Sequence, residues 1–162
     1  DCSGCGGCRN HNGCVFTDDV VHSLAEKAKG ADGFIFGTPV YYAHPSGRIL
    51  SVLDRLSVSA GQYLSHKPGA VIASARRAGT TASLDALAKH LGILEMPVIT
   101  SSYWNMVHGN TPEEVLQDLE GLQTMRNLGR NMAWMLRCIE AGKKEGIDVP
   151  MSLCLIKMQN YL

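Results

Sequence analysis

Apolar and polar positions along this chain switch repeatedly between a helical and an extended period. After Asp18 and Asp19, the residues Val20, Val21, Leu24, Ala25 and Ala28 recur at helical spacing. This predicts a helix over about residues 19–29 with acidic side chains at its start. Gly33–Phe34–Ile35–Phe36–Gly37 is a short apolar run that reads as a buried parallel strand. Thr38–Pro39–Val40–Tyr41–Tyr42 is expected to break that strand into a loop, and a helical pattern resumes from Gly47 to Leu56. The cycle then repeats. Ala70–Val71–Ile72–Ala73 predicts a second strand, Arg76 to Thr80 a loop, and Leu84, Leu87, Ala88 and Leu91 one face of a helix. A third strand is expected from Met96 to Thr100, followed by a loop from Ser101 to Asn110. Thr111–Pro112–Glu113–Glu114 has the marks of a helix start: a capping hydroxyl, a proline in the first turn and a capping-box glutamate. Leu122, Met125, Leu128, Met132, Met135 and Ile139 then form the stripe of a long helix ending near Gly142.

Strands alternating with helices predict an α/β fold, a parallel sheet with helices on both faces. No repeat or linker interrupts residues 1–162, so a single domain is expected. Ligands in such sheets bind at the carboxyl ends of the strands, which directs attention to residues 38–46, 76–80 and 101–110. These loops lack the carboxylate pairs, serine–histidine arrangements or metal-binding histidines of a hydrolase. Glycine, threonine, tyrosine and backbone amides suit a flat, hydrogen-bonding ligand that brings its own chemistry.

Composition narrows the field. Fifteen basic residues balance fifteen acidic ones, without the basic excess of an electrostatic nucleic-acid binder. Hydrophobic residues make up 45% of the 162, which excludes a disordered chain. The longest apolar runs fall far short of the roughly 20 residues of a membrane span. The opening stretch is polar and cysteine-rich rather than signal-like, and a cytoplasmic location is expected. Because the chain opens on Asp1 rather than methionine, a preceding segment is also expected.

Four of the six cysteines, Cys2, Cys5, Cys8 and Cys14, fall in the first fourteen residues as C-x2-C-x2-C-x5-C. Disulfides between positions three apart close small, strained loops. Structural zinc usually draws two ligand pairs from separated places. Three cysteines on one turn with a fourth nearby instead resemble the spacing that wraps a [4Fe–4S] cluster. Gly4, Gly6, Gly7 and Gly13 would allow the backbone to fold closely around it. A thiol-rich loop that binds no metal remains the plain alternative. His11 lies inside the motif and is read as exposed, while Cys138 and Cys154, in apolar surroundings, are read as buried inert thiols.

Together these residues resemble a known family. The cysteine motif with Asp18–Asp19, then Gly37–Thr38–Pro39–Val40–Tyr41–Tyr42, then Leu53–Asp54–Arg55, is similar to the NADPH-dependent FMN reductase superfamily, and within it to the iron–sulfur flavoproteins. Ala73–Ser74–Ala75–Arg76–Arg77–Ala78–Gly79–Thr80 matches the place of the family's third flavin loop, and Glu120 to Gly129 looks like its last helix. The resemblance spans essentially the whole chain. It implies a flavodoxin-like three-layer sandwich that binds FMN. The family begins with a strand and a serine- and asparagine-rich phosphate loop. Nothing here corresponds to that strand, loop and helix, or to the second strand, so an N-terminal segment of about 40 residues is expected.

The resemblance also implies roles. The backbone of Thr38, Pro39, Val40 and Tyr41 would meet the flavin, with Tyr41 or Tyr42 flanking the ring system. Gly79, Thr80 and Thr81 would bring amides and hydroxyls to the pyrimidine edge, where reduced flavin builds negative charge. Thr80 or Thr81 would equally serve as a helix cap. Arg76 and Arg77 would contact NADPH phosphate or the flavin edge, and Asn105 would reach the flavin. Cys2, Cys5, Cys8 and Cys14 would hold the [4Fe–4S] cluster. Asp54–Arg55 reads as structural or as a subunit contact, and His44 is not assigned a catalytic role. The implied reaction is an FMN-dependent oxidoreduction with NAD(P)H or a ferredoxin as donor. Its alternatives are a cluster-free NAD(P)H:FMN or quinone reductase and a zinc-stabilised binding module. A homodimer or homotetramer is expected. The stripe from Leu122 to Ile139 reads first as core and second as a subunit contact, and the apolar tail from Pro150 to Ile156 as a segment that docks on a neighbour.

Overall fold

Asp19 Oδ1 accepts the Val21 N–H at 2.9 Å, so the first helix, α1 (Val21–Gly30), starts just after the acidic pair. A computed structural model describes residues 1–11 and 13–150. The apolar run after α1 forms strand β1 (Phe34–Tyr41). It runs through the residues expected to form a loop, because Pro39, which has no N–H to leave unpaired, sits in register with Ser74. Only Tyr42 and Ala43 make the turn, at φ 48° and 64°. The chain then doubles back as β2 (His44–Pro45), antiparallel to Val40–Tyr41. The result is a two-residue hairpin with both central residues left-handed.

Ser46 Oγ accepts the Arg48 N–H and caps α2 (Gly47–Ala60). Strand β3 (Gly69–Ala75) lies parallel to β1 from Phe34↔Gly69 to Pro39↔Ser74. Helix α3 (Thr80–Ile93) follows it. Its N-cap is Gly79, at φ 90°, and not Thr80 or Thr81, which are its first two residues.

The expected third strand at Met96–Thr100 is corrected by the structure. That segment keeps a single bridge, Val98 opposite Gly69, with Gly69 donating to Pro97 O and accepting from Ile99 N. The chain loops out after Ile99 and rejoins β3 where Asn105 O accepts the Ala73 N–H. Regular pairing then forms strand β4 (Met106–His108), inside the expected loop. The sheet order is β2–β1–β3–β4, with β1, β3 and β4 parallel.

Alternate residues of β3 enter two cores, as a strand buried on both faces requires. Val71 and Ala73 pack with Ala28 of α1, Leu53, Leu56 and Ala60 of α2, and Leu84, Leu87 and Leu91 of α3. Ala70 packs on the opposite face with Ile99, Leu128 and Met132. The molecule is therefore a three-layer α/β sandwich with α1, α2 and α3 on one face and the last helix on the other. Leu128 and Met132 bury the middle of the expected stripe; Leu122, Met125, Met135 and Ile139 are half-buried. Cys138, expected to be buried, is exposed because it falls on the outward side of that helix. Cys154 and the tail beyond Pro150 lie outside the described residues.

The Thr111 start yields only the short α4 (Pro112–Val115), capped by Thr111 Oγ1 through the Glu114 N–H. The long helix is a separate element, α5 (Leu119–Lys144), capped by Asp118. One Asp118 oxygen accepts the Gly121 N–H at 2.9 Å and the other the His108 N–H at 2.7 Å, fastening α5 to β4. The Gly121 amide first, and then the backbone of His108, hold the carboxyl below its ordinary 3.8 against a partial desolvation that raises it. A carboxylate with a depressed folded pKa contributes stability above its unfolded value, lost as pH falls through the folded one. Asp118→Ala should therefore cost about 1–3 kcal/mol at pH 7. The gap between variant and wild-type melting curves should shrink steadily below pH 3.8.

Candidate functional site

The carboxyl ends of β1 and β3 deliver two loops to one edge of the sheet, and Gly79 is where they touch. A Cβ at Gly79 would lie 2.5 Å from Ala43 Cα and 2.8 Å from Val40 Cγ1, so only glycine lets the hairpin and the Arg76–Gly79 loop approach this closely. The two loops therefore lie side by side. The reason is loop-to-loop packing rather than space kept for a ligand.

The structure distributes the expected site residues as follows. Thr38 is buried, with its hydroxyl donating to Pro39 O at 2.8 Å and accepting the Ser46 N–H at 2.9 Å, so it braces the hairpin. Pro39 and Val40 continue β1 beside it. Tyr41 is 62% exposed and Tyr42 fully so, and neither ring stacks on another aromatic among the described residues. Non-glycine residues at φ > 0 store strain of order 1–2 kcal/mol each, and such tips cluster at functional sites. His44 is exposed on the same hairpin, and Arg76 and Arg77 are exposed on the facing loop. Thr80 is buried with its Oγ1 3.1 Å from Met106 Sδ, whereas Thr81 is exposed.

No side chain caps the N-terminus of α3. Its first-turn amides and positive dipole end thus take no side-chain cap, and they lie across the Gly79–Ala43 contact from the hairpin that carries Tyr41 and Tyr42. Aromatic faces next to free N–H donors suit a planar group that gains negative charge on reduction. The residues present fit a flavin.

Asn105 lies deeper, buried, with no partner for its Oδ1. It borders a cavity of about 560 Å³ between α3 and the looped-out segment, lined also by Leu84, Asp85, Val98, Tyr103 and Trp104. His108, at the carboxyl end of β4, has its Nδ1 3.8 Å from Asp118 Oδ2. Sequence reading passed over this pair, because the two residues are ten positions apart across a helix start.

The cysteine segment forms a second locus on the outer side of α2. Gly4, Gly6 and Gly13 adopt positive φ, and a 3₁₀ turn covers Gly7–Arg9. Cys2 and Cys5 are exposed, and Cys8 and Cys14 half-buried; all four are free thiols. The Gly7 backbone and the Ser3 side chain hold the Cys5 thiol below its ordinary value. Cys8 Sγ lies 4.0 Å from Val58 O, and Cys14 Sγ accepts Arg55 Nε–H at 3.3 Å. Arg55 follows Ser46 by nine residues, about 13 Å along α2 from the hairpin. The donor set, four free thiols on a glycine-rich loop, fits an iron–sulfur cluster in kind and number. Among the described residues no three potential ligands stand close enough to hold a metal as they are.

This is the architecture of a flavodoxin-like α/β domain with two loops gathered at the strand carboxyl ends. The chain belongs to the NADPH-dependent FMN reductase family, whose sequence profile matches residues 5–111. Membership makes it an FMN flavoprotein oxidoreductase. It is similar to an iron–sulfur flavoprotein of Methanocaldococcus jannaschii, 31% identical over 86% of this chain and 76% of that one. An iron–sulfur flavoprotein of Methanosarcina thermophila is 27% identical over 88% and 75%. Among solved structures, a WrbA-like flavodoxin from Agrobacterium tumefaciens superposes with a TM-score of 0.58 at 21% identity, covering 75% of this chain and 73% of its own. The Trp repressor binding protein of Bacillus subtilis gives 0.55 at 21%, covering 72% and 70%. These two likenesses bear on the fold. Among the described residues, no helix is long and apolar enough to cross a membrane.

Proposed function

We propose that this flavoprotein is of the iron–sulfur type, passing electrons between a cluster on Cys2, Cys5, Cys8 and Cys14 and an FMN at the hairpin edge. The observation that carries the reading is four free thiols on one glycine-rich loop docked against α2, the helix that leaves the tyrosine hairpin. When bound, the flavin would interconvert one- and two-electron transfers and the cluster would supply single electrons. Tyr41 or Tyr42 flanks the ring system, and the amides of Gly79, Thr80 and Thr81 stabilise charge at the pyrimidine edge. Arg76 and Arg77, exposed beside that edge, attract an anionic donor such as NAD(P)H or the acidic surface of a ferredoxin. The assembly is a homodimer or homotetramer working in the cytoplasm.

The test is anaerobic reconstitution of wild type and Cys8→Ala with iron and sulfide, assayed for iron, acid-labile sulfide, zinc and visible absorption. Wild type should take up about four irons per chain and show flavin bands. The variant should lose most of the iron and keep the flavin. Equal iron in the two proteins would overturn the cluster. The separation of the thiols favours a second reading, a cluster-free NAD(P)H:FMN or quinone reductase. Flavin bands without iron would select it, and stoichiometric zinc would select a zinc-stabilised segment.

A further inference from the structure

Arg55 is the most deeply buried charge in the molecule's cysteine region, its side chain only 7% exposed. A buried guanidinium is tolerated where its fork of donors is fully used. Here every partner comes from residues 14–19. Nε donates to Cys14 Sγ at 3.3 Å, Nη1 donates to the Asp19 carboxylate, and Nη2 donates to Phe16 O at 2.9 Å. The guanidinium carbon also lies 5.6 Å from the centre of the Phe16 ring. Cys14 is held at its other end too, by the contact of His22 Nε2 with Cys14 O at 2.7 Å. Of the four motif cysteines, this is the one whose sulfur receives a charged N–H.

From this geometry we infer that Arg55 is a positioning residue for the Cys14 sulfur, fixing it for cluster ligation and raising the cluster's reduction potential. The inference rests on the iron–sulfur reading above. An N–H donated to a ligating sulfur, with a positive charge against it, stabilises the more negative reduced state. Lysine would keep the charge, yet a point-like ammonium cannot serve sulfur, carboxylate and carbonyl together.

The experiment uses the full chain, reconstituted anaerobically, as wild type, Arg55→Lys and Arg55→Gln. Each is titrated with mediators and followed by the EPR signal of the reduced cluster. Wild-type iron and sulfide are measured first, and their absence sinks the iron–sulfur reading and this inference with it. With a loaded wild type, Arg55→Gln should show at least a tenfold lower ratio of reduced to oxidised cluster at a fixed potential. That is about 59 mV for one electron. Arg55→Lys should fall between the two. Loaded variants with an unchanged midpoint overturn the inference alone. Should both variants lose the cluster, pulsed EPR on an otherwise wild-type chain decides. With arginine labelled by 15N at Nε, in an Arg9→Lys background, a nitrogen coupling to the reduced cluster is expected, and its absence overturns the inference.

Discussion

Replacing Gly79 with valine should lower the unfolding midpoint by on the order of 10 °C and weaken FMN binding at least about tenfold. Two effects act at one atom. Valine, branched at Cβ, is strongly disfavoured at φ 90°, a strain of about 1–3 kcal/mol. Its Cβ would also sit 2.5 Å from Ala43 Cα, which is backbone and cannot swing aside. The hairpin carrying Tyr41 and Tyr42 must then part from the start of α3. Differential scanning calorimetry reads the first loss and flavin fluorescence titration the second. A destabilised variant that keeps wild-type flavin affinity would detach the flavin from this edge, leaving the glycine a packing role only.

The layered fold was legible because its signals are local. The Gly33–Gly37 run and the Ala70–Ala73 run are continuous and apolar since both strands are buried by helices. Asp19 and Thr111 mark helix starts through a carboxyl or hydroxyl that accepts an amide close by in sequence, whereas the caps Ser46 and Asp118 went unread. The edge strand was misread for a reason of the same kind. Met96–Thr100 has the β-type pattern, yet only the segment around Val98 pairs with β3 before the chain loops out. Pairing resumes at Asn105 and Met106, and an interruption with no glycine or proline to announce it leaves no local trace.

The site was legible in parts. A tyrosine pair at the end of a strand and a glycine before a helix are visible in one dimension, and the structure joins the two loops that carry them through Val40, Ala43 and Gly79. The dependence of Gly79 on Ala43 spans 36 positions and could not be read, because nothing about an alanine advertises a close backbone approach. The same holds for Arg55. In sequence it is one arginine in an amphipathic helix, whereas its partners Cys14, Phe16 and Asp19 lie 36 to 41 residues away. Burial reveals its role: a guanidinium facing the core side of the cysteine segment needs partners that only tertiary structure supplies.

That burial makes Asp19 the residue whose loss should hurt stability most. Its Oδ2 is the carboxylate facing the Arg55 guanidinium, and its Oδ1 accepts the Val21 N–H at 2.9 Å at the start of α1. Asp19→Ala leaves a buried cation without a counter-ion, a defect of about 3–5 kcal/mol in enclosed pairs. Asp19 is itself 36% exposed, so water relieves part of this and the lower end, about 3 kcal/mol, is expected. Losing the helix-start acceptor adds about 1 kcal/mol. Asp19→Asn separates the two contributions, since its amide oxygen still accepts the Val21 N–H while the charge is gone. In urea melts at pH 7 the asparagine variant should therefore recover about 1 kcal/mol relative to alanine. Most of the remaining loss should persist in 1 M salt, where an exposed pair would be screened. A total loss below about 1 kcal/mol for Asp19→Ala would place the pair in the solvated class, and Arg55 would then have to be held by Phe16 O and the Cys14 sulfur alone.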